Sequence, residues 1–402
     1  MTADALGHIV LALVVGAAGC ACAQTPDSTA SGAPATARVA FVTPAAVQPR
    51  QHDQATIFWD DFEQAGDLHD RYFEYDDANG GFVRSPEAGY AGRGHGMKCQ
   101  FEQGQVSAGS LKVAFGRNPV GGKLRPHDTF GEIYWRVYVR QQAGWEGNPV
   151  KLARATCLAG SDWSQGLIAH VWAGEGDMLC IDPATGIRDN RKVTAGYNDF
   201  DHLRWLGSIQ GHTPLFSPTE SGRWVCVESR VNINTPGQRD GAFLLWIDGH
   251  LEASRTDLDW HGTWDDYAID AVFLENYWNQ GAKKREARYF DDFVISTRPI
   301  GPVVAAEVPT LTRTATPVSA WQAQVSASPD DTDLVWTSKV TDGRELSLSM
   351  DSAHGTFSGS RADSASRASG MVHWLRLRER TASGEWSQWS SWHAPFCTGH
   401  RQ

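Results

Sequence analysis

No stretch of this 402-residue chain keeps a 3.6-residue apolar period for long, which argues against a helical core. The apolar run Ile9–Ala18 is too short to cross a bilayer. Positive charge is scarce: 36 Lys and Arg stand against 47 Asp and Glu, a net charge of -11. That deficit argues against a nucleic-acid binder but says little about a polysaccharide, which is met locally in a groove. No cysteine or histidine spacing resembles a zinc site. Met1–His8 holds no Lys or Arg, so the apolar run lacks the basic flank that export signals usually carry.

What is present still reads as export. Ala21-Cys22-Ala23 offers a small-x-small cleavage site, making residues 1–23 a signal peptide and the protein secreted, periplasmic or held at the cell surface. Ala17-Ala18-Gly19-Cys20 loosely resembles a lipoprotein box, so a lipid anchor on Cys20 is the alternative to plain secretion. An exported chain meets an oxidising compartment. Cys99, Cys157, Cys180, Cys226 and Cys397 then remain, an odd number. Cys157 and Cys180 are the first pair to expect, with burial as free thiols the other reading.

Residues 24–54, rich in Ala, Thr, Ser and Pro, read as a flexible spacer. Strand patterns begin at Ile57-Phe58-Trp59-Asp60-Asp61-Phe62, and Tyr289-Phe290-Asp291-Asp292-Phe293-Val294-Ile295 echoes them. Two such similar strands suggest the paired ends of one sandwich. Between them, Arg223–Gly249 reads as a hairpin. Val225, Val227, Val231 and Ile233 form one apolar row, Phe243, Leu245 and Ile247 the other, and Thr235-Pro236-Gly237 breaks the chain between. Met97–Glu102, Ser110–Ala114, Glu132–Arg140, Leu167–Ala173, Met178–Asp182 and Ala271–Asn279 supply further strands.

The order Trp224-Val225-Cys226-Val227-Glu228, Leu245-Trp246-Ile247-Asp248-Gly249 and Tyr289–Ile295 resembles bacterial concanavalin A-like jelly rolls. Within that group it is most similar to proteins grouped with polysaccharide lyases. The resemblance covers about residues 57–301 and implies that residues 55–301 form an all-β, two-sheet jelly-roll sandwich. After a linker at 302–317, residues 318–402 read as a smaller β-sandwich of immunoglobulin or fibronectin type III-like kind. Its marker is Trp386-Ser387-Gln388-Trp389-Ser390, which resembles the WSxWS pattern. Arg376, Arg378 and Arg380 share a strand face, placed to interleave with Trp386 and Trp389 as a cation–π ladder.

Residues facing a groove must alternate with core residues along each strand. In Glu132–Arg140, Tyr134, Arg136, Tyr138 and Arg140 alternate with an apolar row, which suits a carbohydrate groove or an ordinary solvated face. In Leu167–Ala173, His170 and Trp172 share a face; in Ala271–Asn279, Glu275, Tyr277 and Asn279 do. The lyase resemblance implies β-elimination on a uronic-acid polymer, with His170 as base, Tyr277 as acid, and Arg136 with Asn279 neutralising the carboxylate. Tyr134, Tyr138, Arg140, Trp172 and Glu275 would line the groove. Two departures stand out. Ile168-Ala169-His170 replaces the Gln-x-His triplet of alginate-lyase-like jelly rolls. Aligning Asn279-Gln280 with the late-strand motif puts Trp278 on the tyrosine position.

The Glu-x-Asp-x-x-Glu strand of β-glucanases on this fold is absent, although Glu228 and Glu275 could meet across adjacent strands. Asp60, Asp61, Asp291 and Asp292 would approach one another if the terminal strands pair, either as a structural calcium site or as edge charges. Asn198–Pro218 reads as a long loop over the groove, where His202 or His212 could stand in for His170. No cofactor beyond that calcium is implied. The expected partner is an acidic glycan, and the competing class is a non-catalytic glycan-binding or cell-surface adhesion protein of the same fold.

Overall fold

A computed structural model describes residues 40–149, 151–358 and 371–398. The expected signal peptide, Cys20 and the first part of the expected spacer lie outside the described residues. The described chain is built of β-strands with four short 3-10 turns. Two eight-stranded sheets pack face to face as the expected jelly-roll sandwich.

One sheet, the back sheet, carries the hairpin. Trp224–Asn232 pairs antiparallel with Gly241–Ile247 on one side and with Glu132–Gln141 on the other. Glu286–Ser296 follows, and Thr56–Asp60 pairs with it, Trp59 opposite Val294, so the two similar end strands do lie side by side. The Asp291-Asp292 step is a β-bulge in which Asp292 takes a positive φ of 52°, a conformation Asp tolerates better than most residues.

The other sheet, the front sheet, runs in the order Arg204–Trp205, Leu179–Thr185, Gln165–Ala173, Lys151–Leu158, Ala271–Tyr277, Ser107–Ala114, Glu74–Asp76. Its inward row of Leu111, Ala155, Leu167, Ala169, Val171 and Leu274 meets Ile133, Trp135, Val137, Val227 and Leu245 of the back sheet in one core. Every second residue of each strand is therefore turned away from that core.

Residues 40–54, read from sequence as the end of a spacer, carry structure. Ala40–Val42 pairs with Thr310–Arg313, and Val42 is fully buried. That strand draws part of the expected 302–317 linker into a three-stranded sheet with Ser347–Ser349. A second, six-stranded sheet includes Ala320–Ser326, Leu334–Ser338, Val372–Arg380 and His393–Cys397. Trp321, Val325, Trp336, Leu375 and Phe396 fill a separate core. The ladder forms: Arg378 lies 4.8 Å from the Trp386 ring centre and 4.7 Å from that of Trp389, while Arg376 lies between Trp389 and Trp392. Arg380 instead donates to Gly384 O.

Candidate functional site

The front sheet presents one in-register row across six strands: Asp182, His170, Arg154, Phe273, Lys112 and Glu74. A second row places Tyr277 opposite Lys151, and Lys151 opposite Trp172. Glu275 lies between the two rows. These side chains, rich in cations and aromatic rings, lie on the outer face of the front sheet, the expected groove face, where His170, Arg154 and Phe273 are themselves buried.

The electrostatic centre is Glu275. It accepts from Arg154 Nη2 at 2.9 Å and from the Tyr197 hydroxyl at 3.2 Å, and Lys151 Nζ lies 3.5 Å away. Burial opposes its charge, but Arg154, Lys151 and Lys112 outweigh burial and hold the carboxyl below its ordinary range. Its second oxygen, Oε2, has no partner. Arg154 is fully buried; it also donates to Asn198 Oδ1 at 2.8 Å and to the Tyr197 hydroxyl. Burial lowers the Lys151 ammonium, with Glu275 opposing and Arg154 reinforcing the shift.

His170 stacks on Trp172 with ring centres 4.1 Å apart and planes at 10°, and Trp205 extends the stack at 5.9 Å. Both ring nitrogens are buried without a hydrogen-bond partner. Burial, reinforced by Arg154 and Lys151, pushes the imidazole well below its ordinary pKa, so it is neutral at neutral pH. Beside it, burial raises Asp182 to about 6.

The segment at 198–218 contributes Trp205 and Asn198, with Tyr197 just before it. Arg204–Trp205 and Ile209–Gln210 add to the edge of the front sheet by pairing with Leu179–Thr185. Glu252 anchors the segment by accepting from Thr213 N at 2.9 Å and Thr213 Oγ1 at 2.8 Å. His202 is bound to Asp199 at 2.8 Å at the surface, and His212 donates its backbone N–H to Glu252.

Of the residues singled out from sequence, the groove gathers His170, Trp172, Glu275 and Tyr277. Trp278 faces inward and stacks on Trp145 in the core, which leaves Tyr277 as the tyrosine on the groove side. Asn279 lies exposed in the turn beyond the strand, outside both rows.

Arg136, Tyr134, Tyr138 and Arg140 are elsewhere. Their strand belongs to the back sheet, so their row faces away from the groove, under the chain that leads to the C-terminal module. Arg136 donates to Gly301 O at 3.0 Å and lies 3.4 Å from Asp292. The Tyr138 hydroxyl accepts from Val303 N, and Arg140 donates to Glu87 O and covers the Tyr289 ring. Tyr134 bonds Glu132 on that same outer face. Alternation shows that a residue is off the core, but a sandwich has two outer faces. Glu228 and Glu275 likewise sit on different sheets, so they form no carboxylate pair.

The four aspartates are not gathered at one point. Asp60 accepts from Arg71, Tyr72 and Phe62 N. Asp61, Asp291 and Asp292 do line one cavity of 370 Å³, with Glu63. There Asp291 is bound by Tyr90 N and Asp292 N, and Asp292 faces Arg136. Among the described residues, no three carboxylate, histidine or cysteine side chains converge to hold a metal ion. The expected Cys157–Cys180 bond is also absent. All five described cysteines are free thiols, with Cys157 in the core and Cys180 on the groove side of its strand.

No family model matches the sequence, and no curated protein matches it. Solved structures with detectable likeness include an endo-β-1,4-glucuronan lyase from the fungus Trichoderma reesei, at 14% identity and a TM-score of 0.42, covering 60% of this chain and 96% of that one. A PL-14 alginate lyase from Aplysia kurodai is 12% identical with a TM-score of 0.43, covering 60% of this chain and 99% of that one. The alginate lyase vAL-1 from Chlorella virus is 12% identical with a TM-score of 0.41, covering 57% of this chain and 93% of that one. Among the described residues no helix is long and apolar enough to cross a membrane.

Proposed function

We propose that the front-sheet groove binds an acidic polysaccharide and cleaves it by β-elimination next to a uronate residue. The observation that carries this reading is the in-register row placing unpartnered, neutral His170 beside Arg154 on one groove floor.

β-Elimination needs three services. The uronate carboxylate must be neutralised so that the adjacent C5–H becomes acidic, a base must take that proton, and an acid must protonate the departing O4. Arg154, Lys151 and Lys112 give the floor three cations against Glu275, Glu74 and Asp182, so a substrate carboxylate would be met by the placement of the cations and not by a net positive charge. Arg154 Nε is buried without a partner. His170, uncharged but only 1% exposed, is the base, and it must be uncovered for the substrate to reach it. Tyr277, half-exposed beside Lys151, is the acid. His170 and Tyr277 stand two strand spacings apart across the sheet and one row apart along it, roughly 12 Å between backbones, a span that a sugar ring and two long side chains would have to bridge. The aromatic surface of Trp172 and Trp205 suits a pyranose face.

One observation favours the non-catalytic reading: Glu275 already occupies the cations that would neutralise the substrate. The two readings part in one assay. Incubating the protein with a panel of polyuronates and following unsaturated uronate ends by ultraviolet absorbance gives a rising signal for a lyase. Measurable binding with no unsaturated product from any polymer identifies a glycan-binding protein.

A further inference from the structure

Arg154 and His170 point away from the core, yet both are buried. One stretch of chain, residues 195–205, covers them. It lies over the outer face of Lys151–Leu158, Gln165–Ala173 and Leu179–Thr185.

Four side chains make the cover. The Tyr197 ring centre lies 4.8 Å from Arg154 Cζ, and its hydroxyl accepts from Arg154 Nη2. Asn198 Oδ1 accepts from Arg154 Nη1 at 2.8 Å. Leu203 is buried against Ile168 and Ala184 in an apolar cluster separate from the main core. Trp205 stacks over His170 and Trp172, with ring centres 5.9 and 5.7 Å away.

Side chains, not the backbone, hold the stretch down. Among the described residues, no main-chain hydrogen bond joins 195–203 to the sheet. Gly196 N and Asn198 N donate instead to the Asp162 and Gln165 side chains, at 3.2 and 3.0 Å. Strand pairing begins only at Arg204–Trp205, against Thr185 and Ala184. Gly196 and Gly207 bracket the stretch with φ of 74° and 97°, values that glycine adopts without strain. A segment tied down this way opens at lower free energy than a laddered strand.

Tyr197 and Asn198 offer Arg154 a neutral hydroxyl and a neutral amide oxygen. A carboxylate makes a charge-assisted bond to a guanidinium, roughly twice as strong as a neutral one. We propose that residues 195–205 are a strap that closes this face in the free protein, and that a uronate carboxylate opens it by replacing Tyr197 and Asn198 on Arg154. Lifting the strap carries Leu203 and Trp205 with it, so the step that seats the substrate also uncovers His170. The trigger rests on the proposed function, whereas the closed state stands on the geometry alone.

The test reads exposure and not turnover. Diethyl pyrocarbonate acylates unprotonated imidazole that it can reach, and peptide mass spectrometry at neutral pH follows His170 against the exposed His202. In wild type, His170 is expected to react far more slowly than His202. Two loosened proteins are compared with it. One combines Tyr197→Phe with Asn198→Gly, which keeps the positive φ of 57° and drops the amide. The other is Leu203→Ala, which removes the apolar anchor. Each should speed acylation of His170 by about tenfold or more. Cys99, in the core between the sheets, should stay unreactive to a maleimide, showing that the opening is local. Unchanged His170 rates in both proteins overturn the strap, as does a rise that comes only with loss of Cys99 protection. Hydrogen exchange of wild type with alginate or polygalacturonate tests the trigger. Binding should speed exchange of the amides at 195–203. Unchanged or slower exchange on binding would place the polymer over a closed strap and overturn the trigger. Binding of neither polymer defeats the trigger together with the proposed function, and the acylation rates still decide the strap.

Discussion

Arg154 Nη2 lies 2.9 Å from Glu275 Oε1 in the groove floor, where the arginine side chain is fully buried and the glutamate is 9% exposed. A buried pair of this kind is a weak source of net stability, but removing one partner strands the other. Glu275→Gln keeps a hydrogen-bonding group and removes the charge. It is expected to lower stability by about 1–3 kcal/mol, read as a lower denaturation midpoint. The same change leaves Arg154 and Lys151 unopposed, so affinity for a polyuronate rises in a binding titration. Weaker binding by a folded Glu275→Gln protein would show that the carboxylate serves the ligand and does not compete with it.

His170 makes stability pH-dependent in a definite direction. Its folded pKa is depressed by burial and by Arg154 and Lys151, whereas the unfolded imidazole titrates near the ordinary value. Below pH ~6.5 the unfolded chain therefore binds a proton that the folded chain refuses, and stability falls as pH drops through that window. Asp182, raised to about 6, acts oppositely: its buried neutral form favours the folded state at low pH, an effect lost as pH rises. Comparing wild type with His170→Asn by denaturant titration at pH 5 and pH 7.5 isolates the histidine. The wild type is expected to lose more stability on acidification than the variant does, and equal slopes would count against a buried neutral His170.

Glu228 fixes the chain as it leaves the jelly roll. Its carboxylate accepts from Ile300 N and Gly301 N, each at 2.8 Å, and burial raises its pKa against those two bonds. Glu228→Ala should free this exit and leave two amides unpaired, costing about 2–4 kcal/mol. Faster limited proteolysis within 300–317 is the expected readout. The groove lies on the other sheet, so polyuronate affinity should not change.

The free thiols give a simpler check. With Cys99, Cys157, Cys180 and Cys226 buried and unpaired, adding a reductant should leave the denaturation midpoint unchanged. A large drop on reduction would mean that a disulfide holds the fold.

Much of the architecture was readable from the chain. Period-two rows at Val225–Ile233 and Phe243–Ile247 named a real hairpin, and the echo between Ile57–Phe62 and Tyr289–Ile295 named two strands that do pair. Local periodicity also turned His170, Trp172, Glu275 and Tyr277 outward. It could not say which sheet a strand joins, and so Arg136 and its row were placed in the groove when they lie beneath residues 300–303. Arg154 and Lys112 escaped notice for a related reason. Lys151–Leu158 reads as a mixed segment, KLARATCL, whose single arginine gains meaning only when Glu275 and Tyr197 arrive from distant sequence. A bulge between Lys151 and Ala153 further breaks the alternation that would have flagged Lys151.

The central claim is that Arg154 and His170 act together on a uronate polymer, and one comparison tests it most directly. Initial rates of unsaturated-end formation would be measured on the same polyuronate for wild type, His170→Asn and Arg154→Lys, each confirmed folded by circular dichroism. The account predicts activity in wild type and a loss of about 100-fold or more in His170→Asn, the scale of removing a general base. It predicts a smaller but clear loss in Arg154→Lys, where charge stays and the guanidinium fork goes. Full activity in His170→Asn, or no product from wild type on any polyuronate that it binds, would contradict it.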